Sequence, residues 1–155
     1  MITALDTNVL IDVLSANSGL RAPSAARLIE ARAEGALVIC ELVIAELASL
    51  FPMSGALEDF LRETDIELVD SGTEVLWRSG IAWRTYTRRR PAGTICARCG
   101  MKNELHCSRC GESIRYRQHV IADFIIGAHA IAHADQLLTR DRGYYQAYFP
   151  DLQLA

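Results

Sequence analysis

The stretch Ala122 to Asp141, ADFIIGAHAIAHADQLLTRD, constrains the fold more than any other part of the chain. Phe124, Ile125, Ala128, Ile131 and Ala132 recur at helical spacing, which predicts a helix starting beside Asp123 and ending near His133. An acid at that start is favoured by the free N–H groups and positive end of the helix dipole. Asp135 then turns the chain, and Gln136 to Thr139 reads as a short apolar strand that delivers a second acid, Asp141, at its C-terminal end. Ligand sites of open α/β sheets lie at that edge. Two carboxylates, one from a helix start and one from a strand end, suggest a site that holds a cation, although each alone is more often a cap or a solvated acid.

The same grammar runs through the rest. Ile2 to Leu5 is an apolar strand ending in Asp6-Thr7-Asn8, after which Val9, Leu10, Val13 and Leu14 take helical spacing. Thr7 and Asn8 cap this helix or hold the Asp6 carboxylate, and Asp12, one turn on, is expected to face solvent. Asn17 to Gly19 is a turn, and Pro23 opens a helix through Arg32 that Gly35 closes. Ala36 to Cys40 is a second strand, with Cys40 a core residue. Glu41, an ordinary exposed acid, leads into a helix in which Glu46 is flanked by apolar positions. An unpaired buried acid is costly, so Glu46 faces a cation, shares a proton or points to water. Further elements are a helix over 56–63, a strand over 66–69 and a long amphipathic helix from Gly72 to about Arg89, whose Trp77, Trp83 and Tyr86 read as core or groove residues. A single-turn or irregular helix over Arg142 to Tyr148 and an edge strand over Leu152 to Leu154 finish the chain. Alternating strands and helices imply a mostly parallel sheet covered on both faces. At 155 residues, one compact core is expected.

One segment breaks the pattern. Cys96-Ala97-Arg98-Cys99-Gly100 and Cys107-Ser108-Arg109-Cys110-Gly111 are near-identical units. A CxxC turn followed by Gly aims backbone N–H groups at the thiolates, and two such turns complete a four-thiolate site for one Zn2+. Four protein ligands leave the ion no open position, so the site is structural. Iron in the same sulfur cage and redox-active dithiols are the alternatives, and His106 is read as a bystander. The window 84–117 contains Arg84, Arg88, Arg89, Arg90, Arg98, Lys102, Arg109, Arg115 and Arg117 against Glu104 and Glu112, a net +7, whereas the remainder carries −10. An acidic body with one basic segment suits a polyanionic partner. A solvated basic loop is the equal alternative.

No apolar run reaches the ~18 residues of a membrane span, and the N-terminus carries an acid where a signal peptide has lysines, so a soluble, cytoplasmic protein is expected.

The contexts LDTNVLID, VIAELAS, ADFIIGAHA and LLTRDRGYY, which hold Asp6, Glu46, Asp123 and Asp141, resemble the PIN-domain ribonucleases, and most of all the VapC-type toxins of toxin-antitoxin pairs. The resemblance covers residues 1–90 and 118–155, which form the expected nuclease domain, with 91–117 as an inserted zinc-ribbon module. It implies an α/β/α sandwich around a mostly parallel sheet and a homodimer with a cognate antitoxin. It also implies an acidic quartet of Asp6, Glu46, Asp123 and Asp141, supported by Thr7, Asn8 and Thr139, that holds one or two Mg2+ or Mn2+ ions. The sequence departs from the pattern in the insertion and in Tyr144 and Tyr145, which stand where many relatives carry a further acid.

The expected activity is therefore metal-dependent cleavage of single-stranded RNA, with Arg88, Arg89, Arg90, Arg98, Arg109, Arg115 and Arg117 extending the RNA surface. Two rivals stand beside it: an RNA-processing PIN endonuclease, and a zinc-ribbon module on an inactive nuclease scaffold that binds RNA or protein. His129 and His133 share the i, i+4 spacing of a metal pair, but no Glu lies between them as a metalloprotease needs, so they read as core or helix-surface residues.

Overall fold

The structure, a computed structural model, describes residues 1–16, 19–89, 94–95, 101–114 and 120–155. Its main sheet has the order β3-β2-β1-β8, formed by β1 (Ile2–Leu5), β2 (Ala36–Ile39), β3 (Ile66–Leu68) and β8 (Gln136–Leu138). All three pairings are parallel, with Ala4 opposite Val38 and Leu137, and Val38 opposite Glu67. Thr3, Ala4 and Leu5, then Leu37, Val38 and Ile39, then Leu137 and Leu138 are all buried. Successive strand residues point to opposite faces, so unbroken burial means that both faces are covered.

Helices do the covering. β1 leads through α1 (Thr7–Leu14) and α2 (Arg21–Glu34) to β2, and β2 leads through α3 (Glu41–Leu47), a 3-10 turn (Ala48–Leu50) and α4 (Ser54–Thr64) to β3. β3 leads through α5 (Gly72–Arg89) and the inserted segment to α6 (Ile121–His133), β8 and α7 (Arg142–Tyr148). The chain thus steps from β1 to β2 to β3 in one direction and then crosses to the other side of β1. That reversal opens a crevice beyond the carboxyl ends of β1 and β8, the usual ligand position of such sheets.

An aromatic cluster locks α5, α6 and α7 together. The fully buried Phe124 ring lies 5.3 to 6.3 Å from those of Trp83, Tyr86, Tyr144, Tyr148 and Phe149. Each such pair contributes about 0.5–1.5 kcal/mol beyond its area burial. At Gly35 a side chain would collide with the Met1 backbone, whose carbonyl accepts the Ala36 N–H at 3.0 Å.

Several expectations are corrected. Leu76 and Trp77 are 47% and 70% exposed, because the buried stripe of α5 runs through Val75, Ser79 and Tyr86 and leaves Trp77 on the far side. Ile131 and Ala132 face outward on α6, whose buried set is centred on Phe124, Ile126, Gly127 and Ala128. α2 begins at Arg21 rather than Pro23, and the terminal strand reduces to one bridge between Leu137 and Leu154. The expected turn at Asn17 lies outside the described residues.

In the insertion, β4 (Thr94–Ile95) pairs antiparallel with β5 (Lys102–Asn103), and β6 (Leu105–His106) with β7 (Ser113–Ile114). Cys96, Cys99, Arg90, Arg98, Arg115 and Arg117 lie outside the described residues.

Two helix glycines provide a test of the packing. A Cβ at Gly127 would stand 2.5 Å from the Phe149 ring, whereas one at Gly80 meets nothing within 4 Å. Gly80→Ala is expected to stabilise by up to about 1 kcal/mol from helix propensity. Gly127→Ala is expected to lose about 1–3 kcal/mol to overpacking, with the two signs read from urea denaturation.

Candidate functional site

Asp6 follows β1 directly and caps α1, so the chain geometry places its carboxylate at the reversal crevice. It is 5% exposed and densely held. Its Oδ2 accepts the Asn8 side-chain amide and the Thr139 hydroxyl, each at 2.6 Å, and its Oδ1 accepts the Asn8 backbone N–H at 3.4 Å. Thr139, fully buried just beyond β8, also accepts the Asp141 N–H at 3.0 Å, and the Asp141 carboxylate in turn caps α7 through the Tyr144 N–H. A continuous hydrogen-bonded path therefore joins Asp6 to Asp141 through one hydroxyl.

The other two acids arrive from helices. Glu46, on the exposed side of α3, accepts the Thr7 hydroxyl and so stands at the rim of the crevice, open to water. Asp123 sits in the first turn of α6 and accepts the Val120 N–H at 2.9 Å. Asp6, Glu46 and Asp123 line one open crevice of about 490 Å3 together with Thr7, Asn8, Ile11, Ala45 and Ser49. As placed, no three His, Cys, Asp or Glu side chains among the described residues stand close enough together to hold a metal ion. The donor set nevertheless fits a hard divalent cation, which takes carboxylate oxygens.

Electrostatics point the same way. Burial pushes the Asp6 carboxyl up to about 6, against the lowering hydrogen bonds from Thr139 and Asn8, and the nearby charge of Asp123 adds to the rise. Tyr145, 1% exposed, stands beside Asp6, and Tyr144 stands near Asp123 and Asp141. Burial first, and these carboxylates second, hold both phenols protonated. Where a further acid was absent from the sequence, the structure puts two permanent hydroxyls.

Two acids behave differently from expectation. Asp12 is 5% exposed rather than solvent-facing, because Ser24 and Arg140 compensate its charge inside the fold. Glu41 is half-buried and accepts the Ser71 N–H at 3.0 Å and the Ser71 hydroxyl at 2.6 Å, which lower its pKa against the rise from burial. That hydroxyl also lies 3.2 Å from His129 Nδ1. His129 is a core residue whose pKa is pushed down to about 4, by burial first and then by His133.

In the insertion, the Cys107 to Cys110 turn joins β6 to β7, with Gly111 N–H on the Cys107 carbonyl and Cys107 N–H on the Glu112 carbonyl, both at 2.8 Å. Backbone N–H groups of Cys110 and Arg109 hold the Cys107 thiol below its usual pKa. Cys40, by contrast, is buried and its thiol is pushed up. Arg88, Arg89 and Arg109 are exposed.

Fold and site together define a class: an α/β protein with a parallel sheet that gathers carboxylates at its topological reversal. The chain belongs to the PIN-domain family, whose model matches residues 3–150. PIN domains are generally nucleases. No curated protein matches the chain. Among solved structures it is similar to VapBC2 from Rickettsia felis bound to a DNA fragment from its promoter, with TM-score 0.61, 19% identity and coverage of 100% of this chain and 98% of that one. It is also similar to FitAcB from Neisseria gonorrhoeae (TM-score 0.59, 18% identity, 99% and 96% coverage) and to DNA-bound VapBC from Salmonella typhimurium (0.57, 14%, 100% and 97%). At these identities the likeness is one of fold.

The raised Asp6 pKa has a signed consequence. Between its ordinary value of 3.8 and about 6, the unfolded chain releases this proton before the folded one does. Metal-free protein therefore loses stability as pH climbs through that window and carries the full penalty above it. Asp6→Asn is expected to melt at higher temperature than wild type at pH 7.5 without divalent ions. The gap should shrink as pH falls to 4, and a gap independent of pH in calorimetry would contradict the shift.

Proposed function

We propose that the chain is an endoribonuclease that depends on Mg2+ or Mn2+, cleaves single-stranded regions of RNA and serves as the toxin of a toxin-antitoxin pair. The observation that carries this is the convergence of Asp6, Glu46 and Asp123 on one open crevice, with Asp141 tied to Asp6 through Thr139. Four carboxylates repel one another, and divalent cations relieve that repulsion. Asp6, Glu46, Asp123 and Asp141 would hold one or two such ions, the catalytic centre of the enzyme. When bound, these supply positive charge for the scissile phosphate and lower the pKa of the attacking water.

The protein's own groups set the frame. Asn8 and Thr139 fix the rotamer of the buried Asp6 carboxylate, so that it stays in place under repulsion. Thr7 holds Glu46 at the rim, from which an exposed side chain can turn inward. The basic window supplies phosphate contacts, through the exposed Arg88, Arg89 and Arg109 and through Arg90, Arg98, Arg115 and Arg117.

Partners follow from the same reading. The other side of α3 and its 3-10 turn lines an apolar groove of about 540 Å3 with Phe51, Met53, Leu57, Leu61 and Leu68. We assign it to an apolar segment of the cognate antitoxin. Exposed Leu76 and Trp77 offer a surface for a homodimer. Among the described residues no helix is long and apolar enough to cross a membrane, in keeping with a cytoplasmic protein.

Cys96, Cys99, Cys107 and Cys110 would hold one structural Zn2+. Support comes from the hairpin turn at Cys107 to Cys110, whose N–H groups face the sulfur, and from the matching position of Cys96 and Cys99 between β4 and β5 in the sequence. One zinc per chain by elemental analysis, lost in Cys107→Ser with Cys110→Ser, is the expected result. Iron in its place would overturn the choice of metal.

Cleavage of unstructured RNA should require added Mg2+ or Mn2+ and fall at least 100-fold in Asp6→Asn and Asp141→Asn, each of which removes a charge from the ion-holding set. Retained cleavage in both variants would end the nuclease reading of these acids. RNA or partner binding without any cleavage by wild type would favour the inactive-scaffold alternative.

A further inference from the structure

Asp12 belongs neither to the acidic quartet nor to the residues lining its crevice. It is nonetheless a carboxylate kept in the interior, with a side chain only 6% exposed. Its Oδ2 accepts the Ser24 hydroxyl from α2 at 2.8 Å and faces Arg140 Nε at 2.7 Å. Arg140 lies between Thr139 and Asp141, and its backbone N–H donates to Asn8 Oδ1 at 3.3 Å. Asn8 in turn bonds Asp6 at 2.6 Å and the Thr139 hydroxyl at 3.2 Å. The turn after β8 is thus gripped twice: by its main chain from Asn8, and by its side chain from Asp12 one helical turn further along α1. Replacing a buried ion pair by apolar groups is often neutral or stabilising, so stability alone is a weak reason for a charge at this depth.

We propose that Asp12 is a positioning residue: its ion pair with Arg140, braced by Ser24, fixes the turn that carries Asp141 and so sets where that carboxylate stands relative to Asp6. This rests on the reading of the quartet as a divalent-cation site. Asp12 touches neither ion nor RNA in this account. It acts through Arg140 on the three-residue turn Thr139-Arg140-Asp141, which the Asn8 and Asp6 hydrogen bonds also tie to the start of α1. Outer partners of metal-holding side chains typically change affinity or activity about 10–100-fold when lost.

The test compares Asp12→Asn, which keeps the volume and an acceptor for Ser24, with Arg140→Gln, the double variant, and Asp141→Asn as reference. Mn2+ affinity is measured without RNA by electron paramagnetic resonance titration, beside melting temperature, kcat and KM on a short unstructured RNA. Each single variant is expected to bind Mn2+ about 10–100-fold more weakly and to lose kcat in proportion at limiting Mn2+. Added Mn2+ should restore most of the rate, KM for RNA should stay unchanged, and the double variant should be no worse than the weaker single one. Folded variants with Mn2+ affinity within about twofold of wild type, or strictly additive losses, overturn the proposal. A rise in KM alone marks half-exposed Arg140 as an RNA contact and overturns it too. Should Asp12→Asn fail to fold, Arg140→Gln carries the same test from the exposed side of the pair. Wild-type Mn2+ binding and cleavage in Asp141→Asn would instead end the quartet reading itself, a result distinct from failure of the clamp alone.

Discussion

The structure is organised around one buried carboxylate, Asp6, held in place where the sheet reverses direction. Burial alone disfavours the ionised form, and Asp123 adds to the cost. Against this stand the hydrogen bonds from Thr139 and Asn8, which also tie the start of α1 and the turn after β8 to one oxygen atom. The crossing of the chain from β3 to β8 makes this economical, since it brings the residues after the first and last strands of the sheet side by side. Topology and electrostatics meet at the same atom, so the carboxyl edge of β1 and β8 is both the topological crevice and the place where burial opposes the Asp6 charge.

Much of the fold was legible because its strands and helices announce themselves. Continuous apolar strands bounded by Asp6, Cys40 and Thr139 read as a parallel sheet, and the bounds of α5 and α6 follow from periodicity and flanking residues. Faces were harder. α5 carries apolar residues nearly all round, so spacing alone did not separate buried Val75 and Tyr86 from exposed Trp77, and only packing against α6 made the choice. Strand lengths near the termini failed for a related reason: a single bridge at Leu154 satisfies the edge without a full strand.

At the site, the four acids and their three polar supports were legible as a pattern in order along the chain, and the structure places three of the acids on one crevice with the fourth one hydroxyl away. What single-residue reasoning missed was compensation across distance. Asp12 looked solvated because its partners, Ser24 and Arg140, lie on α2 and beyond β8. Glu41 looked ordinary because Ser71 is thirty residues away. The one local clue was spacing: Asp12 follows Asn8 by four residues, so both share a face of α1, and that face meets the turn before Asp141.

The division of charge sets a problem for the proposed function. An acidic crevice on a body of net −10 repels a polyanion, and it does so most strongly before any cation is bound. On the proposed reading, RNA must therefore be drawn in by charge located elsewhere. The basic window begins at the C-terminal end of α5, where Arg89 lies close enough to Tyr148 of α7 to offset part of the rise that burial gives the Tyr148 pKa. Tyr148 packs on Phe124, the residue after Asp123. Arg89, at the start of the positive segment, thus lies near the end of the fold that bears the acids, beside aromatic contacts that also form the core. The described parts of the insertion are two-residue strands with mostly exposed side chains, which bury too little to hold that position themselves. On the same reading, a four-thiolate ion held by Cys96, Cys99, Cys107 and Cys110 would cross-link the two hairpins and so fix the basic window to a body that otherwise repels RNA.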